Sequence, residues 1–342
     1  MESIPQYPDR ADNSTIVVIH PGALGDVLLS LPALRRLGLR HPGHPLCLCA
    51  NDQVGRLLVA CREVDRWLSV ERSVCAELFS GSVSTDSELF QWLAQCDLAV
   101  AWLEDRDGLL KAILERYASR VIVCSPFAAK ITATHQRDRF LHTIDEQPDQ
   151  VLGPTPLSLP DDLVQRGSIC LVRAGIPIDR PLVLIHPGSG SLHKCVSPRI
   201  LDRVIQGLRN QGTVPILLQG PADFVPVDSL LRLTSPVPFV LRDLDLLTVA
   251  GVLRQIGLFI GHDSGIAHLS ALLGVPTLAL FGPTDSQQWA PSGHHVKIVK
   301  GSSCTCSDWQ LVRRCEGKPC LDISAEDILS WCRIHTVIGR TL

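Results

Sequence analysis

The stretch VLIHPGSG (residues 183–190) repeats the pattern of VVIHPGALG (residues 17–25): an apolar run, then His-Pro-Gly, then small residues. A short run of Val, Ile and Leu that stops at Pro and Gly reads as a buried strand entering a loop. The chain writes this transition once near its start and once near its middle. Outward from each copy, short β-branched runs alternate with longer helical patterns, the signature of βαβ units and parallel sheets. Strands are expected at 16–20, 45–50, 67–70, 98–102 and 120–124. In the second half they are expected at 182–186, 214–219, 239–241, 258–260, 277–281 and 296–299. Helices are expected at 25–40, 53–63, 86–96 and 107–118, then at 198–210, 223–233, 245–256, 263–273 and 325–335.

A chain of 342 residues exceeds the roughly 250–300 residues one hydrophobic core supports, so two domains are expected. The stretch 143–181 carries six prolines among acidic and polar residues and reads as the connection between them, with a helix at 161–173. The expected partition is a disordered lead-in (1–14), an N-terminal Rossmann-like domain (15–150), a linker (151–181) and a C-terminal Rossmann-like domain (182–342). The last helix is a candidate to pack back on the first domain. In open sheets of this kind, ligands bind in the loops at the carboxyl ends of the strands. Neither His-Pro-Gly loop carries G-x-G-x-x-G, so a dinucleotide site of that type is not expected.

A net charge of −3 argues against a general nucleic-acid binder, which needs a basic excess to neutralise phosphates. No run reaches the ~18 apolar residues of a membrane span, and the start of the chain is polar with no secretory pattern. Thirteen cysteines are an odd number, which argues against a secreted disulfide framework. Cys47, Cys49, Cys96, Cys124 and Cys170 lie in apolar runs and read as buried reduced thiols. A cytoplasmic location is expected.

The densest chemistry lies in GHDSGIAHLSALLGVPTLALFGPTDSQQWAP (residues 261–291). A strand runs into His-Asp-Ser-Gly and a helix starts there. Ser264 and Gly265 offer backbone N–H groups and the positive end of the helix dipole, a ready phosphate or diphosphate site. Asp263 stands either as a helix cap or as an acceptor for sugar hydroxyls. His268, one turn on, is either a site residue or a core histidine. The loop HPGSGSLHKCVSP (186–198) brings Ser189 and its small neighbours, which let backbone approach an anion, and the cation Lys194. In GALGDVLLSLPALRRL (22–37), Asp26 opens a helix. It is either a dipole partner or, at the ligand end of its sheet, a general base.

The combination of LGDVLLSLPALRRL, HPGSGSLHK and GHDSGIAHLSALLGVPTLALFGPTD resembles the family 9 glycosyltransferases, the bacterial heptosyltransferases of lipopolysaccharide core assembly. The resemblance implies a GT-B fold: α/β, with two Rossmann-like doubly wound domains facing across a cleft. It implies an inverting transfer of a sugar from a nucleotide donor, typically ADP-heptose, held by the C-terminal domain, to an acceptor on the N-terminal one. By motif position Asp26 matches the catalytic base, Lys194 a lysine on the donor diphosphate, and Asp263 an aspartate near the donor sugar. Ser264, Gly265 and His268 match residues around the phosphates. Asp223, in the loop GPAD after VPILLQG, is a looser match for a ribose contact. No cofactor or divalent metal is implied. Asp-x-Asp strings at Asp105–Asp107 and Asp243–Asp245 read as solvated acids.

The sequence departs from the family's pattern at His20, where members often carry Arg or Lys, and at Cys195-Val196, where Arg-Trp is common. His20, Arg35 and Arg36 are acceptor-side candidates. With Arg40, His41 and His44 the arginines form a basic stretch that suits inner-core phosphates or an anionic inner-membrane surface, or is a solvated helix face. Near the end, Cys304, Cys306, Cys315 and Cys320 stand within GSSCTCSDWQLVRRCEGKPCL (301–321). They read as a packed loop, as redox-sensitive thiols or as a structural metal site. The expected partners are a nucleotide-sugar donor and a lipopolysaccharide-type or other surface-glycan acceptor, with a protein acceptor or a silent nucleotide-sugar binder as the alternatives.

Overall fold

The computed structural model describes residues 14–71, 78, 83–126, 134–145 and 155–338. The expected lead-in, apart from Ser14, lies outside them, as does part of the expected linker. The chain forms two compact units, residues 1–152 and 153–342.

In the first unit the strands are β1 (Thr15–Ile19), β2 (Leu46–Ala50), β3 (Arg66–Ser69), β4 (Cys96–Ala101) and β5 (Arg120–Val123). They pair in parallel in the order β3-β2-β1-β4-β5. The helices are α1 (Leu24–Leu29), α2 (Leu31–Arg40), α3 (Asp52–Ala60), α4 (Glu88–Leu93), α5 (Leu109–Leu114) and α6 (Gln136–Ile144). β1 and β2 are buried along their whole length. That explains why they read as continuous apolar runs rather than alternating ones.

Two helical features of this unit depart from the sequence reading. The single helix expected at 25–40 is divided at Ser30, which ends α1 and precedes α2, with Pro32 in the first turn of α2. Proline has no N–H to give to an interior turn but fits a first turn, so it starts a new helix there. The helix α6 has no counterpart among the expected elements. Asp105 is also not simply solvated: its carboxylate accepts from the N–H groups of Leu110 and Lys111 (3.1 and 3.0 Å) at the start of α5.

The second unit begins with α7 (Asp161–Arg173), inside the segment expected as a linker. It continues with β6 (Leu182–His186), α8 (Pro198–Asn210), β7 (Val214–Gln219), α9 (Phe224–Leu231), β8 (Phe239–Arg242) and α10 (Leu246–Leu253). Then come β9 (Leu258–His262), α11 (Gly265–Leu272), β10 (Thr277–Phe281), α12 (Ser286–Trp289), β11 (Val296–Lys300), α13 (Trp309–Arg314) and α14 (Ala325–Ile338). The sheet runs β11-β10-β9-β6-β7-β8, all parallel. Counted from its own first strand, this is the 3-2-1-4-5-6 order of a dinucleotide-type doubly wound fold.

α7 packs on α10 backbone to backbone. A Cβ built on Gly167 would lie 2.0 Å from the carbonyl carbon of Gly251, and one on Gly251 would lie 2.1 Å from the Leu163 oxygen. Asp245 caps α10 through the Thr248 N–H (3.1 Å) and pairs with Arg166 of α7. In α14, Ile328 and Cys332 are buried in the core of this same unit with Val204, Leu208 and Leu280. No helix among the described residues is long and apolar enough to cross a membrane.

Of the five cysteines expected as buried, Cys47, Cys49 and Cys96 are buried, whereas Cys124 and Cys170 are only half-buried. Burial pushes the thiols of Cys47 and Cys96 up to about 12, so they act as small apolar groups.

Candidate functional site

β6 and β9 are neighbours in the second sheet, with His186 opposite Gly261. Beyond them the chain goes opposite ways, to β7 on one side and β10 on the other. Loops leaving adjacent strands in opposite directions open a crevice at the strands' carboxyl ends. His186, His262 and every donor-side candidate named from the sequence are carried by this unit.

His262 closes β9 and is fully buried. Its Nε2 accepts from the Val196 N–H (3.0 Å), so the ring proton is on Nδ1, which donates to the Gly188 carbonyl (3.2 Å). Burial, with the neighbouring His186, lowers its pKa to about 4. This neutral imidazole therefore ties both ends of the loop between β6 and α8. Ser189 adds a third tie, donating to the Asp263 carbonyl (2.8 Å).

His186 closes β6. Its Nε2 lies 2.8 Å from Asp223 Oδ2, which also accepts from the Gly220 N–H (2.8 Å). Burial alone would raise the Asp223 pKa, but the His186 bond and charge and the Gly220 N–H outweigh it and hold it below the usual range. Asp223, proposed from the sequence for a ribose contact, is thus buried and spends Oδ2 on its own unit. A Cβ on Gly188 would fall 1.7 Å from its Oδ1, so only glycine fits there. The other ring nitrogen of His186 lies 3.4 Å from Ser264 Oγ.

At the mouth of the crevice, Lys194 Nζ pairs with Asp263 Oδ2 at 2.7 Å, and Thr284 Oγ1 donates to the same oxygen at 2.7 Å. Trp309 of α13 covers the ammonium, 5.8 Å from ring centroid to Nζ. α11 starts at Gly265 with Ser264 extended before it, and no side chain caps its first turn. His268 is buried in that helix. Lys194, Asp263, Ser264, Gly265 and Ser189 are therefore brought together. Thr284, His262, His186 and Trp309 complete the assembly and were not assigned from the sequence. For His186 and His262 the available signal was a histidine at the end of each of two buried strands.

In the first unit, Asp26 lies in the first turn of α1, just past β1, and its Oδ2 accepts from the Ala23 N–H (3.2 Å). This is the switch point of the first sheet, where β1 is flanked by β2 and β4. His20 is buried against Trp102 and Phe140, with centroids 5.5 and 5.1 Å away. Its Nδ1 accepts from the Gly22 N–H (3.3 Å), and burial lowers its pKa to about 4. Arg35 pairs with Glu63 at 2.6 Å, and Arg36 and Arg40 converge on Asp145 at 2.6 and 2.8 Å. The three arginines of the basic stretch are thus paired within their own unit.

The model of Glycosyltransferase family 9 (heptosyltransferase) matches residues 129–316, more than half of the chain. Lipopolysaccharide heptosyltransferase 3 of Escherichia coli is 29% identical over 152 residues, 43% of this chain and 44% of that protein. The match thus spans less than half the length of that relative. Among solved structures, a family 9 glycosyl transferase from Veillonella parvula superposes with a TM-score of 0.79 at 16% identity, covering 95% of this chain and 98% of that one. The ADP-heptose lipopolysaccharide heptosyltransferase II of E. coli gives 0.75 at 17% identity, covering 96% and 100%. The two doubly wound units are those of the GT-B fold, and the chain belongs to glycosyltransferase family 9.

Proposed function

We propose that the protein transfers a heptose or a closely related sugar, with inversion, from an ADP-sugar to a hydroxyl of a lipopolysaccharide core or similar surface glycan. The observation that carries this reading is the group Lys194–Asp263–Thr284 beside the uncapped start of α11, at the switch point of the second sheet. A cation and a helix N-terminus side by side suit a diphosphate. A carboxylate held at their edge suits sugar hydroxyls. The family, and the ADP-heptose donor of the structurally similar E. coli heptosyltransferase II, support the same donor class.

In this mechanism Asp26 accepts the proton of the acceptor hydroxyl as its oxygen bonds to the anomeric carbon. The bond from that carbon to the diphosphate oxygen breaks on the opposite face, and ADP leaves with the electron pair. Lys194 and the α11 dipole meet the developing charge, and their value lies in being in place beforehand. His262 and Ser189 do not touch the reacting atoms. They fix the loop that carries Lys194. The reading assigns the leaving-group charge to these groups and calls on no catalytic metal.

Calorimetric titration with ADP, UDP and GDP tests the donor. ADP should bind most tightly, and Lys194→Ala should weaken it by about 10–100-fold, the value of a charge-assisted contact of ~1.5–3 kcal/mol. Preference for UDP or GDP would overturn the ADP assignment. Asp26→Ala should keep ADP affinity and lower transfer by at least about 100-fold, the lower range for a general base. Unchanged transfer would remove Asp26 from the mechanism.

A further inference from the structure

The segment that follows β11 brings four cysteines to one place. Cys304 and Cys306 lie just past the strand, Cys315 follows the last turn of α13, and Cys320 sits in the tight turn Pro319–Leu321. The thiol sulfurs of Cys304, Cys306 and Cys315 all lie within 4.8 Å of one another, and those of Cys304 and Cys306 are 3.1 Å apart. The Cys320 thiol neighbours those of Cys304 and Cys315. The backbone brings them together independently of the sulfurs: the Gly301 N–H donates to the Cys320 carbonyl (3.0 Å), and Cys320 is buried in the core of the second unit.

A tetrahedral thiolate site with metal–sulfur bonds of about 2.3 Å places its sulfurs roughly 3.8 Å apart. The observed cluster fits that scale. It does not fit a set of disulfides, whose sulfurs stand about 2.05 Å apart. All four positions are sulfur, which selects a thiophilic ion and leaves no place for water or substrate, so the role is structural. Two thiolates beyond the ion's charge would leave a net negative centre. Arg313, Arg314 and Lys318 lie in the same short segment, with Asp308 and Glu316, and leave it a net positive charge.

We propose that Cys304, Cys306, Cys315 and Cys320 bind one thiophilic divalent ion, zinc or ferrous iron. The ion clips α13 to the end of β11, and α13 is the helix whose Trp309 covers Lys194. The site is thus a folding clip outside the reacting groups, and it stands whether or not the donor reading above is right.

The test is elemental analysis of the full-length protein purified without chelator. The expected result is about one equivalent of zinc or iron per chain. Cys306→Ser, at a half-buried position that tolerates a hydroxyl, should lower metal content by about tenfold or more, whereas Cys170→Ser should leave it unchanged. Reconstitution of the stripped protein with cobalt(II) should give the intense visible bands of a tetrahedral thiolate centre, absent in Cys315→Ser. Purified protein with less than a tenth of an equivalent of any metal and no cobalt spectrum would overturn the proposal. So would a Cys304–Cys306 disulfide found by peptide mass mapping of unreduced protein.

Discussion

His262 holds two distant points of one loop, and it can do so only as a neutral ring. Protonating Nε2 would turn the acceptor of the Val196 N–H into a second donor facing it. His20 is in the same position, accepting from the Gly22 N–H inside an aromatic cage. Both pKa values fall from 6.5 to about 4 through burial. The folded pKa is the lower one, so their contribution is complete above about pH 6.5. It is lost progressively between pH 6.5 and 4, where the unfolded chain binds up to two protons that the folded chain refuses. Denaturant unfolding followed from pH 7.5 to 4.5 should show stability falling steadily through that window. A flat profile would mean that the two rings take up protons in the native protein as they do in the unfolded chain. Asp223 is held below its usual range, so its own loss comes in more acidic solution.

At the scale of elements, the crossing of α7 on α10 admits no side chain at either glycine. Gly167→Ala or Gly251→Ala forces the helices apart and should cost about 1–3 kcal/mol, the range for overpacking. A shift in the urea midpoint with unchanged slope is the readout, and an unaltered midpoint would show that the helices yield freely. The strands were legible in the sequence because each is a short apolar run bounded by turn residues. The break after α1 was missed: Pro32 marks it, but the apolar stripe through Val27, Leu31 and Leu34 runs across it and reads as one helix. α6 was not legible: QRDRFLHTI buries only Gln136, Phe140 and Leu141 and carries no periodic stripe. Site residues stood out where a motif held them, as Lys194 and Asp263 did. Their pairing did not, because 69 residues separate them. For the same reason the Asp145 carboxylate that occupies Arg36 could not be read from a basic stretch 109 residues away.

For the whole molecule, the first strand of each sheet enters the same strand-loop phrase, and each unit places it at the switch point of its own sheet. The repeated sequence is therefore one physical solution used twice, a buried strand delivered to a glycine-bearing loop at a switch point. In the proposed assignment the nucleotide belongs to the second unit alone. Hydrogen exchange with and without ADP at 100 times its Kd, where binding adds about 2.7 kcal/mol, should show slowed exchange at residues 187–197 and 263–268. Slowing confined to residues 20–30 would reverse the assignment of donor and acceptor units.

The stacking of Trp309 on the Lys194 ammonium has an optical consequence. An indole under a cation emits differently from one facing water, and Trp309 is partly exposed. A diphosphate that draws Lys194 toward itself takes the charge off the ring. The protein thus carries its own dye at the mouth of the crevice, and its emission should change as nucleotide enters, a change that Trp309→Phe should abolish.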